Sequence, residues 1–104
     1  MKKLLVLSLC GIACLYAQIN TASLSGLVTD PSQAVVSGVH VSARNKSTGV
    51  RREVLTNATG YYSFATLPVG DYEITVQKNG HSQTTHQTLI KGPNLWTIVF
   101  DPGP

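Results

Sequence analysis

The sequence predicts an all-β protein, a seven-stranded antiparallel β-sandwich behind a short export leader, and three observations carry that prediction. Tyr72, Ile74 and Val76 alternate with Glu73, Thr75 and Gln77, the period of a strand with one greasy face and one wet face. Short apolar runs recur between clusters of Gly, Pro, Asn and Asp, and no helical period follows the first apolar stretch. A sheet face cannot stay dry alone, so amphipathic strands at this spacing pack as two layers.

Residues 1–17 read as a signal peptide. Lys2 and Lys3 precede an apolar run from Leu4 to Tyr16, broken only by Ser8, and Ala17 supplies a small residue for cleavage. The run is shorter than the roughly 20 residues that span a bilayer. Cys10 and Cys14 would leave with it, so no disulfide is expected in the exported chain. Lipidation at Cys14 is the alternative, although Gly11 stands where a lipid-attachment motif has leucine. Loss of Lys2 and Lys3 lowers the basic count from 8 to 6 against 5 acids, and the net charge from +3 to +1. That balance argues against a nucleic-acid partner. The remaining 87 residues suffice for one core.

Residues 18–22 form a polar lead-in. In the first strand Leu24, Gly26 and Val28 share a face and Leu27 lies outside; Asp30-Pro31 ends it, because proline removes a ladder donor and restricts its predecessor. Val35 and Val36 are expected to fold back over one end of the sandwich. Val39, Val41 and Ala43 alternate with His40, Ser42 and Arg44 in a second strand. Val50–Thr56 forms a third, with Val54 inward and Arg52 in the same alternating set. Gly60 is the expected bearer of a positive φ before a fourth strand at Tyr61–Phe64. Tyr61 and Tyr62 must point to opposite faces, so one is exposed or capped by a loop. Asn79-Gly80 ends the fifth strand, Ser82–Thr88 reads as a polar edge strand, and Leu95–Phe100 is a last strand apolar on both faces. The sandwich thus occupies residues 23–100, with a tail at 101–104.

Asn57-x-x-Gly60-Tyr61-Tyr62-x-Phe64 followed by Leu67-Pro68-x-Gly70-x-Tyr72 resembles the signature of carboxypeptidase regulatory-like domains. Gly26-x-Val28-x-Asp30 and Val36-x-Gly38-x-x-Val41 resemble the first half of the same module. The resemblance implies a transthyretin-like topology. It is closest to the module ahead of the plug in Oar-type TonB-dependent outer-membrane receptors, which implies a place in the periplasm or at the outer membrane and a receptor domain as partner. In the resembled family an aromatic residue follows the glycine at position 80; here it is His81.

Little in the chain is suited to catalysis, and no enzyme activity is expected. His40, His81 and His86 match no metal-ligand spacing, and no Gly-x-Ser-x-Gly elbow or glycine-rich phosphate loop occurs. No catalytic residue, metal or cofactor is assigned. Three surface readings remain. A terminal strand apolar on both faces needs a cover, which makes Trp96, Ile98 and Phe100 candidates for a protein interface. Related folds bind carbohydrate, and Tyr61, Tyr62 and Trp96 are the candidate rings. Arg44, Arg51 and Arg52 are the candidate anion patch. The expected function is that of a non-catalytic, exported interaction module, with carbohydrate binding as the alternative.

Overall fold

The computed structural model describes residues 20–103. The leader, its cleavage point, both cysteines and Pro104 lie outside the described residues. Eight strands follow one another: β1 (Thr21–Thr29), β2 (His40–Asn45), β3 (Arg51–Leu55), β4 (Tyr61–Pro68), β5 (Gly70–Lys78), β6 (His81–Leu89), β7 (Gly92–Leu95) and β8 (Ile98–Val99). In the first sheet β1 is central. β4 pairs with it on one side, and β7 and β8 succeed each other along the other. The second sheet has the order β3-β2-β5-β6 and is antiparallel throughout.

The inward faces follow the alternation. Leu24 and Val28 from β1, Val41 and Ala43 from β2, and Ile74 and Val76 from β5 are all buried. Tyr62 and Phe64 from β4 meet edge to face, with ring centroids 6.3 Å apart, an arrangement that suits their quadrupoles. Val36 is buried as part of the plug, whereas Val35 stays half-exposed and bridges to Thr29. Val54 packs against the core, as its phase predicts. Asn79 and Gly80 both have positive φ (54° and 78°), and Lys78 pairs with His81 across them. This is the two-residue hairpin whose twist matches that of the strands.

Both ends of the described chain depart from expectation: β1 begins at Thr21, within the expected lead-in, and pairing with β4 and β7 buries Ala22. The last strand runs parallel to β1, so the sandwich is not wholly antiparallel. It is also broken at Trp96-Thr97, into β7 and β8. The break has a cause distant in sequence. The Trp96 carbonyl turns onto Gly26, where any Cβ would collide with it, and the Tyr62 hydroxyl donates to that carbonyl at 2.7 Å. Gly26 leaves the space, and Tyr62 satisfies the carbonyl that the ladder has lost.

Two of the four crossings between the sheets, β1 to β2 and β3 to β4, use one turn design. Asp30 Oδ1 accepts from Ser32 N, Ser32 Oγ and Ala34 N, and Gln33 N donates to the Asp30 carbonyl. Asn57 Oδ1 accepts from Thr59 N, Thr59 Oγ1 and Tyr61 N, and Gly60 N donates to the Asn57 carbonyl. The fourth residue has positive φ in each, 72° at Gln33 and 77° at Gly60.

Candidate functional site

The outer faces of the two sheets differ in chemistry. On the second sheet, His40 Nδ1 lies 2.9 Å from Glu53 Oε1, Arg44 Nη1 lies 3.5 Å from Glu73 Oε1, and Thr75 and Thr84 bond through their hydroxyls at 3.0 Å. Thr88 donates to Asp71 at 2.6 Å. This face is polar nearly throughout, Leu55 being an exposed exception.

On the first sheet, register places four apolar side chains from three strands on the outer face, beside the hydroxyls of Ser25, Thr29 and Ser63. Leu27 of β1 stands opposite Tyr61 of β4, Leu95 of β7 pairs beside Ser25, and Val99 of β8 pairs beside Thr29. Their inward neighbours Val28 and Ile98 are buried, so these four side chains point outward. Leu95 is 81% exposed and Val99 55%.

The candidate residues named from sequence are redistributed accordingly. Of Trp96, Ile98 and Phe100, the last two are core residues, each 2% exposed, and Trp96 is partly buried against the core. The exposed side chains of this segment are instead Leu95 and Val99: β7 and β8 pair with β1 at one common offset, so alternation runs unchanged through the break and turns Trp96, Ile98 and Phe100 inward. The ring platform is likewise not assembled. Tyr62 is buried with its hydroxyl spent on Trp96, and burial pushes that hydroxyl far above the usual phenol range, with the neighbouring Tyr61 adding to the effect. Tyr61 remains exposed. The anion patch divides too. Arg44 and Arg51 are direct cross-strand neighbours on the outer face of the second sheet. Arg52 belongs to the inward-facing set and reaches across the open seam to the Thr66 carbonyl of β4 at 3.1 Å.

That seam, between the free edges of β3 and β4, holds a cleft of about 220 Å³ lined by Arg52, Val54, Phe64 and Thr66. At its end a second, more enclosed pocket of about 130 Å³ lies among Ala43, Val50, Leu67 and Tyr72. A dish of about 140 Å³ on the outer face of the second sheet is lined by His40, Arg51, Glu53 and Thr75. His81 sits beneath Gly103. Among the described residues no three His, Cys, Asp or Glu side chains converge as metal ligands, and no helix is long and apolar enough to cross a membrane.

Comparison with known proteins agrees with this architecture. The carboxypeptidase regulatory-like domain profile matches residues 23–98. No curated protein matches by sequence. Among solved structures, the chain is similar to Klebsiella pneumoniae 5-hydroxyisourate hydrolase (TM-score 0.64, 22% identity, covering 80% of this chain and 92% of that one). It is also similar to a Bacteroides uniformis protein described as a candidate carbohydrate-binding protein (TM-score 0.59, 18% identity, 75% of this chain and 40% of that one). A Pseudomonas aeruginosa protein of the same description matches with TM-score 0.56 and 16% identity, over 80% of this chain and 90% of that one. At these identities the likeness is one of fold, the transthyretin-like sandwich.

Proposed function

The chain belongs to the carboxypeptidase regulatory-like domain family, and from that membership we propose that it is a non-catalytic interaction module of the bacterial envelope. It is exported by residues 1–17 and held against a neighbouring receptor domain through the outer face of its first sheet. The observation that carries this reading is the grouping of Leu27, Tyr61, Leu95 and Val99 on that face, while the opposite face is polar. Covering a fully exposed leucine or valine recovers about 1.5–3 kcal/mol, so such a face is a natural seat for a partner. The resemblance to Oar-type receptor modules makes a plug domain on the periplasmic side the partner of choice.

The test is capture of a plug domain by the exported protein and by its Leu95→Glu variant. Leu95 is so exposed that the variant keeps its fold, and the reading requires that it lose the partner. The competing reading, carbohydrate binding, draws on the descriptions of two structural neighbours and on the exposed ring of Tyr61. Saturable quenching of Trp96 fluorescence by a glycan, abolished in Tyr61→Ala, would replace the interaction reading. N-terminal sequencing of the periplasmic product tests export, with Gln18 as the expected first residue and diacylglycerol on Cys14 as the alternative outcome.

A further inference from the structure

The pocket at the end of the β3–β4 seam has a chemistry that the interaction face does not use. Its floor is largely apolar: Ala43, Leu67 and Tyr72 are buried core residues, and the Tyr72 hydroxyl is already engaged, donating to the Pro68 carbonyl at 2.6 Å. Val50, 58% exposed, forms part of the lining near the surface. Arg52 is the one charged residue lining it. Neither ion pair found among the described residues involves Arg52, whose single protein acceptor there is the Thr66 carbonyl. The rest of its fork of N–H donors is therefore open to a ligand. The nearest acid in sequence, Glu53, lies on the opposite face of β3 and is engaged with His40.

We propose that this pocket binds a small monocarboxylate whose hydrocarbon part is about the size of one ring or one branched aliphatic side chain. The carboxylate meets the guanidinium, for which planar two-point pairing is favourable. The hydrocarbon part fills the space over Leu67 and Tyr72. The volume, about 130 Å³, is near that of a cavity of roughly 150 Å³ that takes one benzene molecule. A bare phosphate or sulfate would satisfy Arg52 but leave the apolar floor wet, whereas a neutral hydrocarbon would fill the floor but leave the guanidinium unmatched. Two sources present this chemistry: a free organic acid, and the last residue of a polypeptide ending in a branched or aromatic side chain.

The experiment is a titration of the purified protein followed by amide NMR. The probes are benzoate, 4-methylpentanoate, benzyl alcohol, and a glycine-rich tetrapeptide ending in leucine, as the free acid and as the C-terminal amide. The proposal expects saturable shifts confined to the Asn45–Arg52 and Leu67–Tyr72 segments, with Kd on the order of millimolar for the free acids. Benzyl alcohol, the peptide amide and the Arg52→Gln variant should each weaken binding about tenfold or more, the scale of one lost charge-assisted pairing. Val50→Asp, a change at an exposed position, should do the same by placing like charge beside the ligand and serves if Arg52→Gln fails to fold. Tighter binding of the peptide acid than of the free acids assigns the site to chain termini, and the reverse order assigns it to organic acids. No saturable shift with any acid, or equal affinity for benzoate and benzyl alcohol or for wild type and the folded variants, overturns the proposal.

Discussion

The outer faces of the two sheets back onto one shared core, yet one is finished with hydroxyls and ion pairs while the other sets four aliphatic and aromatic side chains among Ser25, Thr29 and Ser63. On the second sheet, Thr75, Thr84, His40 and Glu53 bond one another across the strands. On the first, Leu95 and Val99 are mostly open to solvent and Leu27 and Tyr61 partly so. The fold does not require this difference, because either face could be polar without disturbing the core behind it. What distinguishes the apolar face is the broken third strand beside β1, where β7 and β8 each present one outward apolar residue. This contrast is the ground for proposing a neighbour at the first sheet and none at the second.

The largest expected effect tests whether β8 and its flank divide into core and surface as described. Phe100→Ala should cost about 3–5 kcal/mol, the usual loss for a fully buried aromatic, while Val99→Ala should cost less than about 0.5 kcal/mol, as at exposed sites generally. Chemical denaturation of both variants checks it, and similar losses would erase the distinction. Next in size is Gly26→Ala, which drives a methyl into the Trp96 carbonyl. Overpacking here should cost about 1–3 kcal/mol and shift the amides of β7 and β8 while leaving the second sheet undisturbed. Tyr62→Phe, which strands the same carbonyl, should cost about 1–2 kcal/mol in the same assay.

Legibility followed locality. The phase of β5 was plain because every second residue from Tyr72 to Val76 is apolar, and Leu27 was placed outside by the same arithmetic. Arg52 also obeyed its phase: alternation puts it with Val54, inward, and grouping it with Arg44 and Arg51 by proximity overrode that signal. The end of the chain was illegible for a different reason. Alternation in Leu95–Phe100 separates Trp96, Ile98 and Phe100 from Leu95, Thr97 and Val99, but with apolar residues in both sets it does not say which one faces the core. The break depends on Gly26 and Tyr62, which are 70 and 34 residues away from Trp96 in sequence. Parallel pairing with β1 is equally non-local. Nor could proximity in sequence unite Leu27, Tyr61, Leu95 and Val99, which meet through register alone.

The smallest effect lies in the turns that carry the chain between the faces. Hydrogen bonds from the Ser32 hydroxyl, then from the Ala34 and Ser32 amides, hold the Asp30 carboxyl below its usual range, against a small opposing effect of desolvation. Its folded pKa is depressed, so its contribution is complete above the ordinary carboxylate range and fades as pH falls through the lowered value. Amide exchange at Ser32 and Ala34 should quicken in acid relative to Thr59 and Tyr61, whose acceptor, Asn57, carries no titrating group. Asp30→Asn should keep the turn and abolish the difference.

The account rests on the first sheet's outer face being covered in place while the second sheet's is not, and carbene footprinting measures that directly. Labelling the purified protein and the same protein in isolated envelopes of its own host, then mapping the modified residues, compares both faces in one sample. Leu95, Val99 and Tyr61 should label strongly when purified and lose most of that labelling in the envelope, while Thr84 and His86 label equally in both. Equal labelling of Leu95 and Val99 in the two preparations, or protection confined to Thr84 and His86, would contradict it.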